Sequence, residues 1–203
     1  MIELRVLELL CARFCHEMVS PVGAIGNGVE LLDEEDPEFV KQAIQLIGQS
    51  ARTASRRLQF YRFAYGTAPT ASGVAPRELL MGFLEGGKVA ADWEPAVSTL
   101  SAEWQRLGCN LAVVAMETLP RGGRIALRSA GTAGPGLQVE ASGESVLVNR
   151  DVVTALSGDA SAAELTSRTI HGHVTAKFAE QLGAKAALAE SGPSRALFVA
   201  SGH

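Results

Sequence analysis

The chain reads as an α+β protein in which an N-terminal helical hairpin, closed into a dimeric four-helix bundle by a second copy, precedes a C-terminal α/β sandwich. Apolar residues recur at alternating four- and three-residue spacings as far as Tyr65, as in helices that pack along one another. From Gly66 to Pro76 (GTAPTASGVAP) periodicity is lost and Gly, Pro, Ser, Thr and Ala take over, which reads as a linker. Beyond it short strand-like runs interleave with helical ones, the pattern of a sheet covered by helices. The expected division is residues 1–66 and residues 74–203.

The first helix carries a seam at Cys11, Cys15, Met18, Val22, Ile25, Val29 and Leu32. A second follows at Val40, Ile44, Ile47, Ala51, Ala54, Leu58, Tyr61 and Tyr65, and Asp33-Glu34-Glu35-Asp36-Pro37 between them is an acidic connection ending in a helix-starting proline. At a rise of about 1.5 Å per residue each arm reaches roughly 40 Å. Two helices alone cannot surround a seam of that length, so a homodimer is expected; packing of the hairpin on the rest of its own chain is the alternative.

After the linker the pattern predicts a helix near Pro76–Leu84, a strand near Lys88–Trp93 and a long helix from about Ser98 to Leu119. Strands near Arg124–Ser129 and Leu137–Ala141 come next, then helices near Arg150–Leu156 and Ala162–Leu182. Two strands, near Ala186–Glu190 and Arg195–Ala200, turn at Ser191-Gly192-Pro193 and close a largely antiparallel sheet with helices on one face. Trp93 and Trp104 are expected core anchors.

A formal charge of -4 supplies no basic footprint, so no nucleic-acid partner is expected. No run of about eighteen uncharged apolar residues occurs, and Glu3, Arg5, Glu8 and Arg13 spoil the opening segment as a leader or span, so a cytoplasmic protein without membrane contact is expected. Three cysteines imply no disulfide framework. Cys11, Cys15 and His16 could be read as metal ligands, but both thiols are seam positions and no fourth ligand is near in sequence. His171 and His173, flanking Gly172, read as structural or surface residues.

His16 stands one residue past Cys15, on the shoulder of the first helix, where its ring can meet a partner. The run His16-Glu17-Met18-Val19-Ser20-Pro21-Val22 resembles the H-box of the dimerisation and phosphotransfer domain of sensor histidine kinases. Proline inside a helix is costly, about 3 kcal/mol or more, and Pro21 is expected to kink the helix one turn past His16. A neutral imidazole, the main form at cellular pH for a group with an ordinary pKa near 6.5, can attack phosphorus and form a phosphoramidate. Glu17 is a candidate to accept the ring proton and orient the tautomer.

Gly23, Gly26 and Gly28 crowd a helix that their backbone freedom disfavours. Val19, Ser20, Gly23, Ala24 and Asn27, with Arg13, form the expected docking face, where small side chains let a partner's helix approach closely. Arg52, Arg56, Arg57 and Arg62 charge the second helix, as a solvated face or an attraction for an acidic partner.

The run Asn110-Leu111-Ala112-Val113-Val114-Ala115, ending near Pro120, resembles a decayed N-box from the histidine kinase ATPase (Bergerat) fold. Val114 replaces the asparagine that holds Mg²⁺ in those kinases, and a hydrocarbon offers no oxygen to a hard cation. Ser142-Gly143 and Gly158-Asp159-Ala160-Ser161 stand where glycine nests for phosphate would be needed. An intact H-box joined to such a degenerate ATPase-like domain resembles the ChpT-type histidine phosphotransferases of alphaproteobacteria. The resemblance is strongest over Leu10–Leu32 and Asn110–Ile125. It implies a phosphorelay in which the receiver domain of a hybrid histidine kinase phosphorylates His16. His16 then passes the group to response regulators of the cell cycle, of the CtrA and CpdR type. No cofactor or metal is expected on this chain, and Mg²⁺ is expected on the partner's receiver domain. The rival readings are a kinase with a divergent nucleotide site and a scaffold that binds receivers without carrying phosphate.

Overall fold

The computed structural model describes residues 3–66, 73–131 and 134–202. Helix α1 (Leu4–Glu30) and helix α2 (Pro37–Tyr65) form the expected hairpin, joined through a 3-10 turn at Leu31–Asp33. Asp36 caps α2 by accepting from the Glu38 N–H at 2.9 Å, and Pro37 opens the first turn, where a missing N–H is no loss. The arms run antiparallel: Gly28 lies against Ala43 and Ile47, Glu17 pairs with Arg57, and Phe14 meets Tyr61 edge-on at 5.6 Å. A Cβ at Gly28 would stand 2.6 Å from Ile47 Cγ1, so glycine there sets how closely the helices approach. Gly23 and Gly26 face open space.

The stripe buried in the hairpin takes only part of the expected seam. Ala54 and Tyr61 of α2 are buried as expected, joined by Ala43 and Ser50 and by Pro21 and Gly28 of α1, whereas Cys11 and Cys15 are exposed. Val22, Val29, Ile44 and Leu58 point outward, 55%, 52%, 59% and 47% exposed. Alternating four- and three-residue spacing gathers two neighbouring stripes of one helix, and only one of them meets the other arm.

The C-terminal unit is built on a five-stranded sheet in the order β1-β2-β3-β5-β4. Strand β1 (Val89–Trp93) runs parallel to β2 (Gly123–Ser129). Strands β3 (Gly136–Ser142), β4 (Ala184–Ser191) and β5 (Arg195–Gly202) join antiparallel. Along β2, Ile125 and Leu127 are buried while Arg124 and Arg128 are exposed, so one face is packed and the other solvated. On the solvated face Arg124 pairs with Asp92 at 2.6 Å and Arg195 with Glu140 at 2.7 Å. Gly122, at φ +91°, makes the turn into β2, where a Cβ would strike the Lys88 carbonyl.

Helix α4 (Ala102–Met116) lies on the packed face and is buried all round from Arg106 to Ala115, because α2, α3 (Pro76–Leu84) and α6 (Ile170–Gln181) cover its other sides. Helix α5 (Arg150–Leu156) packs beside α6. Two expected helices are shorter than their periodic pattern. Pro95–Thr99 is a separate 3-10 turn, and Ser101 caps α4. Ala162–Glu164 is likewise one 3-10 turn, after which Thr166 and Thr169 bond each other's backbone N–H through their hydroxyls and displace the helical pattern. Of the expected linker, residues 67–72 lie outside the described residues.

Hairpin and sheet share a core. Phe60, Tyr61, Phe63 and Ala64 of α2 belong to the apolar cluster that contains Trp93, Trp104, Leu107 and Phe198. Leu9 of α1 packs with Ala155, Leu165 and Ile170 in a second cluster. The hairpin thus packs on the rest of its own chain at its open end, while its outward stripe stays uncovered.

Candidate functional site

His16 is exposed on α1 and makes no hydrogen bond to a described residue, so both ring nitrogens are open to chemistry. It lines a cleft of about 720 Å³ whose walls are α1 on one side and the C-terminal unit on the other, through Glu117, Asn149, Ser167 and Arg168. Arg168 forms no ion pair with a described residue, which leaves a cation facing the cleft.

Pro21 explains the local geometry beside His16. The proline has no N–H, so the carbonyl of Glu17, four residues earlier, loses its helical donor. Arg57 of α2 replaces it: Nη1 donates to Glu17 O at 2.5 Å, and the same nitrogen stands 3.3 Å from Glu17 Oε2. Helix α1 therefore continues through Pro21, buried against α2. The Glu17 carboxylate shares the cleft with His16 but is paired with Arg57.

Arg13 turns its guanidinium into the joint between hairpin and C-terminal unit. Its side chain is 12% exposed, pairs with Glu117 at the end of α4, and donates from Nη1 to Ser167 O at 3.5 Å. Burial opposes its charge, but Glu117 and the tyrosines outweigh burial and the net shift is upward; burial also raises the Glu117 carboxyl. The rest of the expected docking set is placed on the surface: Val19, Ser20, Gly23 and Asn27 are exposed and Ala24 is half-buried. Of the four arginines on α2, Arg56 and Arg57 are engaged within the chain, by Glu85 and Glu17.

The N-box positions are structural here. Val114 is fully buried in the core. Asn110 donates from Nδ2 to Ala64 O at 3.2 Å, tying α4 to the last turn of α2. Its own carbonyl accepts from His171 Nε2 at 3.0 Å, and His171 Nδ1 takes the Tyr65 hydroxyl at 2.6 Å. His171 is thus structural, as expected, and His173 beside it is half-buried. Trp93 and Trp104 are buried anchors, with Trp93 Nε1 donating to Ser98 Oγ at 2.8 Å. Among the described residues no group of three or more His, Cys, Asp or Glu could hold a metal ion. No described helix is long and apolar enough to cross a membrane.

Sequence reasoning assigned no part to Arg57 as Glu17's partner, to Glu117, or to Tyr65 beyond its seam position. Pro21 was the available signal for Arg57, since a proline in a helix leaves a carbonyl that some donor must satisfy.

A family profile described as "Histidine phosphotransferase C-terminal domain" matches residues 75–194. "Protein phosphotransferase ChpT" of Brucella abortus (strain 2308) is 34% identical over 183 residues, covering 87% of this chain and 86% of that protein. A solved bacterial phosphotransferase superposes with a TM-score of 0.82 at 30% identity, over 99% of this chain and 98% of that one. With the profile and the relative in agreement over most of its length, the chain belongs to the ChpT-type histidine phosphotransferases, enzymes that pass phosphoryl groups along a two-component phosphorelay.

Proposed function

We propose that His16 is the phosphoacceptor and that the chain relays phosphoryl groups between aspartates of receiver domains without binding ATP. The observation that carries this reading is an exposed imidazole with no competing hydrogen bond to a described residue, lining a cleft of about 720 Å³ together with Glu17 and Arg168. A neutral ring nitrogen of His16 attacks the phosphorus of an aspartyl phosphate, the bond from phosphorus to the aspartyl oxygen breaks, and the carboxylate leaves. The ring proton passes to Glu17, and Mg²⁺ held by the receiver neutralises the phosphoryl oxygens. The buried hydrocarbon of Val114 and the structural use of Asn110 support a phosphate source outside this chain.

Docking follows from the same geometry. Val19, Ser20, Gly23, Ala24 and Asn27 form the face for the partner's helix, with Arg13 holding the cleft's far wall through Glu117. Residues 74–203, a degenerate ATPase-like unit, clasp the docked receiver's other side through Asn149 and Arg168. Residues 1–66 carry the chemistry and dimerise through the outward stripe of Val22, Val29, Ile44 and Leu58, which completes a four-helix bundle. The partners are the receiver of a hybrid histidine kinase and response regulators of the CtrA and CpdR type.

Labelled phosphate supplied on a receiver domain is expected to appear on the wild-type chain and not on His16→Ala, while labelled ATP alone transfers none. Label taken directly from ATP would make the chain a kinase. No label from either source would make it a scaffold.

A further inference from the structure

The geometry points to Arg57 as a positioning residue of the transfer reaction, acting through Glu17; this rests on the reading of His16 as phosphoacceptor. Pro21 removes the donor for the Glu17 carbonyl, and one nitrogen of Arg57 reaches both that carbonyl, at 2.5 Å, and the Glu17 carboxylate, at 3.3 Å. Backbone and side chain of the residue adjoining His16 are therefore held from the opposite arm of the hairpin. Without the contact the orphaned carbonyl is free to draw in water, and the turn bearing His16 can tilt from α2. The carboxylate that receives the ring proton also loses its tether. Its neighbour Arg56 has a different partner, Glu85 at 2.8 Å, so the contacts to Glu17 belong to Arg57. Arg57 lies in a recess walled by Thr53, Gly82 and Met116, where it is 30% exposed, so water competes only in part for these contacts.

Both contacts come from a single nitrogen, so a lysine that reaches the same point keeps them, whereas glutamine keeps neither the charge nor the length. At saturating phosphorylated receiver, Arg57→Gln is expected to slow transfer to His16 roughly tenfold, with receiver affinity held within about twofold. Arg57→Lys is expected to recover to about threefold below wild type. Combined with Glu17→Gln, either substitution gives a loss smaller than the product of the single losses, because both act on one group. A wild-type rate in Arg57→Gln, a loss confined to affinity, or a fully multiplicative double variant overturns the assignment. If Arg57→Gln melts below the assay temperature, the pairing of Arg57→Lys with Glu17→Gln decides by the same criterion. His16→Ala run alongside separates the two failures: label on that variant defeats the phosphoacceptor reading, whereas an unlabelled His16→Ala beside a fully active Arg57→Gln defeats only the positioning role.

Discussion

His171 has no solvent contact, and its two ring nitrogens are committed in opposite senses. A backbone carbonyl can only accept, so Nε2 carries the proton donated to Asn110 O, and Nδ1 accepts the Tyr65 hydroxyl. The neutral ring is thus the only form that satisfies both partners, and burial pushes its pKa down to about 3. A depressed histidine means that the unfolded chain binds the proton first as pH falls. Stability present above pH 6.5 is therefore lost between about pH 6.5 and 3, at up to about 1.4 kcal/mol per pH unit. His173, also lowered by burial, adds slope of the same sign. The melting temperature is expected to fall between pH 7.5 and 5 more steeply in wild type than in His171→Gln, measured by circular dichroism; equal slopes would show that His171 titrates normally. At this scale the sequence singled out His16 through its neighbours and Val114 through the missing oxygen. The partners of Arg57 and His171 stay hidden in it, because they come from elements 40 and 106 positions away along the chain.

Among the elements, the hairpin's outward stripe has the stronger consequence. Val22, Val29, Ile44 and Leu58 leave an apolar row in water along one side of the hairpin. Between the arms, Ile25, Ala51, Leu58 and Arg62 border an open groove of about 370 Å³ beside this row. A two-fold dimer would bury each outward residue once on each copy, and each, already about half buried, would contribute about 1 kcal/mol. In analytical ultracentrifugation wild type is expected to sediment as a dimer, and Ile44→Glu and Leu58→Glu as monomers at the same concentration; a monomeric wild type, or unchanged sedimentation in the variants, would remove the bundle. Spacing alone found both helices and their connection. It could not separate the inner stripe from the outer, since two rows one residue apart share the same period. The broken helix before α6 was hidden for a related reason: Thr166 and Thr169 continue a plausible polar face, and only their reciprocal bonds reveal the stop.

At the scale of the whole molecule, the hairpin and the sheet pack against each other across the change in composition. Gly66 to Pro76 reads as a linker, yet the last turns of α2 lie in the core of the sheet, and α1 is pinned to the C-terminal unit by Leu9 and by the Arg13–Glu117 pair. Tyr65, at the end of α2, reaches across to His171. Such a joint borders the cleft that His16 faces, and the hairpin and the sheet are expected to unfold as one cooperative unit. Both tryptophans, Trp93 and Trp104, sit in the C-terminal unit, so their fluorescence reports on the sheet, while much of the helical signal comes from α1 and α2. Denaturant transitions followed by the two signals are expected to coincide at each protein concentration. Tyr65→Phe removes the donor to a fully buried ring nitrogen, a loss of about 1–3 kcal/mol, and should move both midpoints together. Fluorescence and helicity lost at separate denaturant concentrations would mean that the C-terminal unit swings freely on the hairpin, and the cleft beside His16 would then be one arrangement among several rather than a built wall.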